Sequence, residues 1–180
     1  MAAGLASSED AESEQFGPPA AVIAGSVVAL TIYIPGLTRP SGRPRARVVT
    51  PAGKKPFVQM YPDNQSRDWA DEAVDILQRQ IARIEVTEIP GQGNDFTLPF
   101  TGRVILSMRF NIKKPVSYPA NVVNMVRKPD LDNLAKAVLD AMVKARIIED
   151  DNLVTDLSLS KRYVSPGHPE GCEIDLTAFG

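Results

Sequence analysis

The chain has 180 residues, of which 43% are apolar and 23% charged, values that are ordinary for a single globular domain. No run of about 18 apolar residues is present, and the apolar stretch at 20–34 follows acidic residues, unlike a signal peptide. We therefore expect a cytoplasmic protein without a membrane span. One cysteine, Cys172, and one histidine, His168, exclude an internal disulfide and a zinc site made of those ligands. Oxygen ligands would hold any metal ion, which favours Mg²⁺, with Mn²⁺ as a possible substitute.

Charge is unevenly distributed, although the net charge is only −2. Four acidic residues lie between Glu9 and Glu14, and no other acidic residue precedes Asp63. The interval contains a basic block that consists of Arg39, Arg43, Arg45, Arg47, Lys54 and Lys55. We predict that residues 1–20 form a disordered acidic tail and that residues 21–180 form one folded domain. A solvated run of charge is the plainer interpretation of the basic block.

Apolar residues with helical spacing predict two helices, at residues 66–84 and 131–145. Ser66 is the expected N-cap of the first helix. Trp69 is expected to pack in that helix rather than to stack on a base. The polar, glycine-containing segment at 89–99 is predicted to be a loop.

Apolar, β-branched or alternating segments predict four main strands, at residues 27–34, 103–112, 153–163 and 172–178. The last two are expected to form a hairpin, because a Pro- and Gly-rich turn containing His168 joins them. His168 is therefore expected at the surface and Cys172 in the core.

Shorter features complete the element order. Residues 35–55 are predicted to be a loop, and residues 56–61 a short edge strand. The order of the main elements, β-α-β-α-β-β, predicts an α+β single domain. We expect a mixed four-stranded sheet with two main helices on one side.

The segment that carries chemical information begins at Lys128-Pro129-Asp130-Leu131-Asp132. Pro129 places Asp130 just outside the second helix, so that Asp130 and Asp132 can converge although they are two residues apart. The acidic triplet Glu149-Asp150-Asp151 follows the helix, whose ends are about 22 Å apart. Asp151 can meet Asp130 only if the chain travels back along the helix.

Lys136 lies one helical turn after Asp132, where an ammonium group could stabilise a phosphate in hydrolysis. The alternative is structural. Asp132, Lys136, Asp140 and Lys144 also form an i, i+4 ladder of alternating charge, which is typical of a solvated helix face. Asp130 or Asp132 could equally be an N-cap, and residues 149–151 a polar turn. Spacing alone leaves both interpretations open.

The string Lys-Pro-Asp-Leu-Asp-Asn-Leu-Ala-Lys at 128–136, followed by Glu149-Asp150-Asp151 and Lys161-Arg162-Tyr163, resembles the RusA family of Holliday junction resolvases. The resemblance is dense over residues 98–178, and Gly42-Arg43-Pro44-Arg45 resembles a basic segment of many members.

This resemblance implies a homodimer that binds four-way DNA junctions and resolves them by paired symmetric nicks with Mg²⁺, in recombination and repair. It assigns metal binding to Asp130, Asp132 and Asp151, with Asp150 in support, and makes Lys136 the catalytic lysine. Lys161 matches a basic position with a weaker claim to a role. We expect DNA contacts from Arg43, Arg45, Lys54, Lys55, Arg127, Lys128 and Lys161.

Two other functions are compatible with the same residues. One is a less selective nuclease that cuts DNA flaps or replication forks. The other is a protein that binds branched DNA without cutting it, although uncompensated carboxylates facing phosphates argue against a role in binding alone.

Overall fold

The structure is a computed structural model that describes residues 20–24, 27–40, 45–61, 64–83, 85–87, 97–119, 121–164 and 167–180. The acidic tail predicted at 1–20 lies outside these residues, apart from Ala20. The Gly-Arg-Pro sequence at 42–44 and most of the predicted loop at 89–99 also lie outside them. No helix among the described residues is long and apolar enough to cross a membrane.

A mixed sheet organises the domain. Its strands are β1 (Ala20–Ala24), β2 (Val27–Pro35), β5 (Glu85–Thr87), β6 (Val104–Lys113), β7 (Val154–Val164) and β8 (Gly171–Phe179). They lie in the order β5-β1-β2-β8-β6-β7. The four predicted strands are β2, β6, β7 and β8, and they are neighbours in this sheet. The short strands β1 and β5 extend it at one edge.

Helix α1 (Asn64–Ala82) and helix α2 (Leu131–Lys144) pack on one face of the sheet, as predicted. On that face β6 buries every second residue from Val104 to Ile112, and α2 buries Leu134, Val138 and Met142 beneath it. Burying these side chains is worth about 1.5–3 kcal/mol each, which holds α2 firmly over β6 and β7.

Three residues singled out by the sequence occupy the places expected of them. Trp69 is buried in the packed face of α1, and Cys172 is buried on the helix-covered face of β8. His168 is exposed. Burial strongly raises the pKa of the Cys172 thiol, with a smaller contribution from the Glu173 carboxylate beside it.

The predicted hairpin between the last two strands is wrong, because β6 lies between β7 and β8. Strand β6 pairs in parallel with β7 and antiparallel with β8. The side chains explain the order. Strand β8 buries Cys172, Ile174, Leu176 and Ala178, which suits the centre of a sheet, whereas β7 carries exposed serines and suits its edge.

Two further details differ from the prediction. The region predicted as a loop at 35–55 contains strand β3 (Arg45–Val49), which pairs with β4 (Phe57–Tyr61) in a separate two-stranded sheet. Val48 and Val49 are β-branched, and they pair with Val58 and Phe57. Helix α1 begins at Asn64, so Ser66 is not its N-cap; the Ser66 hydroxyl donates to the Pro40 carbonyl at 3.0 Å.

Candidate functional site

Asp130 and Asp132 lie together at the start of α2. Asp130 is the N-cap residue, with an extended backbone (φ −71°, ψ 141°), and its side chain makes no capping hydrogen bond. Asp132 lies in the first turn, and both residues are exposed. The helix therefore begins at Leu131, as the position of Pro129 predicts. Asp130 occupies the N-cap position, as one of the two interpretations predicts, but its carboxylate makes no capping bond and is not used to begin the helix.

Lys161 hydrogen-bonds to the backbone of the segment that precedes Asp130. It lies on the helix-covered face of β7, and its Nζ donates to the carbonyl oxygens of Arg127 and Pro129, both at 2.7 Å. The backbone N–H of Tyr163 donates to the Val123 carbonyl at 2.8 Å, so the same segment runs beside the end of β7. Lys161 therefore holds the backbone next to Asp130, and its expected contact with DNA stays a prediction.

Lys136 points along the exposed face of α2. Its Nζ lies 3.6 Å from a carboxylate oxygen of Asp140, one turn later, in the i, i+4 arrangement of the ladder. Both side chains are partly exposed, so the pair contributes little to stability. Lys136 lies one turn after Asp132. Its ammonium group can leave Asp140 and bind a phosphate without breaking a buried contact.

Asp150 and Asp151 lie beyond the other end of α2. Asp150 precedes a one-turn 3-10 helix (Asp151–Leu153), and its carboxylate accepts from the Asn152 N–H at 2.9 Å. Both aspartates line an open surface cleft of about 260 Å³ together with Asp140, Val143 and Lys144. Asp140 is therefore the third carboxylate at this cleft, although its spacing predicts only a place in the i, i+4 ladder of alternating charge.

The two acidic groups do not meet within one chain. Helix α2 has 14 residues, which separates its ends by about 21 Å. For Asp151 to meet Asp130, the chain would have to run back along α2 before the next strand begins. Instead, β7 starts near the C-terminal end of α2 and runs parallel to β6. Among the residues that the structure describes, no three Asp, Glu, His or Cys side chains are close enough to hold a metal ion.

The basic residues expected to contact DNA fall in different places. Arg127 and Lys128 are exposed just before Asp130, and the Arg127 guanidinium lies over the Tyr118 ring, 5.2 Å from its centroid. Lys54 and Lys55 are exposed in the connection between β3 and β4. Arg43 lies outside the described residues, and Arg45 begins β3.

A comparison of the sequence with models of protein families finds a match that covers most of the chain. The model of the family described as Endodeoxyribonuclease RusA matches residues 35–174. That range includes both acidic groups, Lys136 and Lys161. A search of curated proteins finds no match to the chain.

Proposed function

Because this chain belongs to the RusA endodeoxyribonuclease family, we propose that it is a magnesium-dependent endonuclease that resolves four-way DNA junctions by paired, symmetric nicks. The observation that carries the proposal is the pair Asp130 and Asp132, both exposed and two residues apart at a helix start, followed one turn later by Lys136. Mg²⁺ is commonly bound by one or two carboxylates and retains several waters, which suits this pair.

We propose that Asp130 and Asp132 bind the metal ion and that Lys136 contacts the scissile phosphate. A bound Mg²⁺ would neutralise charge that develops on the phosphate and lower the pKa of an attacking water. Lys136 would leave Asp140 and place its ammonium beside a phosphate oxygen, where the developing negative charge is greatest. The exposed side chains of Arg127 and Lys128 lie just before Asp130 and suit the adjoining phosphates.

The third carboxylate, Asp151, needs a second copy of the chain. Within one chain Asp151 and its neighbour Asp150 lie beyond the C-terminal end of α2, whereas Asp130 and Asp132 lie at its start. In a two-fold homodimer with the two α2 helices antiparallel, the Asp132 end of each helix faces the Asp151 end of the other. Such a dimer carries two equivalent sites, as symmetric cutting of two strands requires.

A mixture of two inactive variants tests the shared site. In a heterodimer of Asp132→Asn with Asp151→Asn, a site built from both chains leaves one of two sites intact. We expect each variant alone to bind a synthetic four-way junction without cutting it, and the heterodimer to make single nicks with Mg²⁺ but not with EDTA. If the heterodimer does not cut the junction and the wild-type protein does, each chain builds its own site.

Substrate selection separates the proposal from its alternatives. The wild-type protein is incubated with a four-way junction, a flap and a linear duplex, with Mg²⁺ and with EDTA. Paired nicks confined to the junction support the proposal. Equal cutting of the flap favours the broader nuclease, and retention of the junction without cutting favours the protein that only binds.

A further inference from the structure

We propose that the two-stranded ribbon formed by β3 and β4 enters the major groove of one junction arm, where Arg47 binds the edge of a guanine. The inference rests on the proposed function, because it takes branched DNA as the partner. It goes further by naming a residue that gives the protein a preference for DNA sequence as well as for DNA shape.

The ribbon stands apart from the core. Among the residues that the structure describes, β3 and β4 pair only with each other, and most of their described side chains are exposed on both faces. Val48 is 64% exposed, Val58 63% and Phe57 51%. An isolated two-stranded ribbon is only marginally stable in water. Apolar side chains left in contact with water on such a ribbon indicate a surface that binds a partner.

Charge identifies the kind of partner. Residues 15–62 contain no acidic residue and six basic ones. Lys54 and Lys55 lie at the tip of the ribbon, in a turn closed by the bond from the Lys54 N–H to the Pro51 carbonyl at 3.2 Å. Gly53, the third residue of this turn, has a φ of +74°, which glycine adopts without strain. The ribbon thus presents positive charge at an ordered tip, which suits the phosphates of DNA.

The dimensions and register of the ribbon suit the major groove. Paired strands lie about 4.8 Å apart, and the major groove, about 12 Å wide, admits a two-stranded ribbon. Arg47 lies opposite Gln59, and Val48 lies opposite Val58. Because side chains alternate along a strand, Arg47, Gln59 and Phe57 share one face and the two valines occupy the other. The face that carries Arg47 is the polar one, and it is the face that can bind base edges.

Arg47 has the chemistry that sequence recognition in this groove requires. Its side chain is exposed. A guanidinium can donate two parallel hydrogen bonds to the O6 and N7 atoms of guanine, the commonest specific contact in the major groove. Lys54 and Lys55 at the tip suit phosphates, and phosphate contacts carry no sequence information. The lysines therefore supply affinity, and Arg47 supplies the sequence preference.

The sheet attaches the ribbon at the end that carries the candidate metal ligands. Strand β2 ends at Pro35, and the register across β8 and β6 places that end level with Arg162 on β7. Lys161, the residue before Arg162, holds the turn that leads into Asp130. The chain therefore leaves the sheet toward the ribbon three strands away from that turn, or about 15 Å. A ribbon that starts there can enter the arm whose strand is cut.

Methylation of single guanines tests the contact directly. Binding of the wild-type protein is measured in EDTA with four-way junctions that each carry one N7-methylguanine, a modification that removes an acceptor in the major groove. We expect at least one position to lower affinity by about 5- to 150-fold. Arg47→Met should abolish this effect, whereas Val48→Thr, on the opposite face of the same strand, should retain it. Interference that is unchanged in Arg47→Met would overturn the inference.

Salt dependence separates a base contact from a phosphate contact. Arg47→Met should leave the slope of log affinity against log salt unchanged, because a base contact releases no counterion. Lys54→Met should lower that slope by about 1 and keep the methylation pattern of the wild type. If Arg47→Met lowers the slope by about 1 and leaves the methylation pattern unchanged, Arg47 binds a phosphate and the inference is wrong.

The outcomes distinguish this contact from the proposed function. If the wild-type protein cuts junctions with Mg²⁺ and no methylated guanine affects its binding, the groove contact is wrong and the nuclease function stands. If methylation weakens binding through Arg47 but no junction is cut with Mg²⁺, the groove contact stands and the nuclease function fails. A wild-type protein that does not bind four-way junctions would overturn both.

Discussion

The ammonium group of Lys161 lies 2.7 Å from the carbonyl oxygen of Pro129, the residue immediately before Asp130. It also donates to the Arg127 carbonyl, so one side chain on β7 holds both ends of the turn that leads into α2. The strand thereby fixes the position of Pro129, 32 residues earlier in the sequence, and with it that of the adjoining candidate metal ligand Asp130. Removing such an outer contact typically costs ten- to a hundred-fold in metal affinity or activity.

We predict that Lys161→Met lowers the rate of junction cleavage by about 10- to 100-fold and raises the Mg²⁺ concentration needed for half-maximal rate. Junction affinity should stay close to that of the wild type, because the ammonium is engaged with the protein backbone. Lys113→Met, an exposed position at the end of β6, is the control for a lost surface charge. A Lys161→Met protein with weaker DNA binding and unchanged Mg²⁺ dependence would instead indicate a phosphate contact.

The basic segment after the first main strand can be tested through its salt dependence. If Arg43 and Arg45 each contact a phosphate, the double substitution Arg43→Ala and Arg45→Ala weakens junction binding. The slope of log affinity against log salt should fall by about 2. Filter binding or fluorescence anisotropy over a series of salt concentrations measures both quantities. Unchanged affinity and slope would remove these arginines from the DNA surface.

The core beneath α2 should be sensitive to the loss of a large side chain. Phe110 is fully buried at the centre of β6, and Phe110→Ala should lower the free energy of unfolding by about 3–5 kcal/mol. Val116, at 103% relative exposure, provides the control, and Val116→Ala should change it by less than about 0.5 kcal/mol. Urea denaturation measures both. Similar losses for the two variants would contradict the packing described for this face.

The thiol of Cys172 should be unreactive in the folded protein. Burial raises its pKa, so the thiolate that reacts with alkylating agents is scarce even in mildly alkaline solution. We predict slow modification by iodoacetamide at pH 8.5 and rapid modification once the protein is unfolded in urea. Mass spectrometry follows the reaction. Rapid labelling under native conditions would mean that β8 opens readily.

Periodicity predicted most of the fold. The alternation from Val104 to Ile112 and the helical spacing from Leu134 to Met142 correspond to the buried faces of β6 and α2. The short strands β1 and β5 escaped prediction because three to five residues carry too little pattern. The false hairpin had a different cause. A turn signal indicates that the chain reverses, but it does not say whether another strand enters between the two strands it joins.

For the candidate site, the sequence sufficed to predict which groups lie at the start of α2: a proline before Asp130, two aspartates, and a lysine one turn later. Those features are local, and local backbone preference decides them. The position of Asp151 at the opposite end of α2, and the contact by which Lys161 holds the turn before Asp130, could be seen only in the folded chain. Both depend on the parallel pairing of β6 with β7, which forces the connecting helix to span the whole height of the sheet.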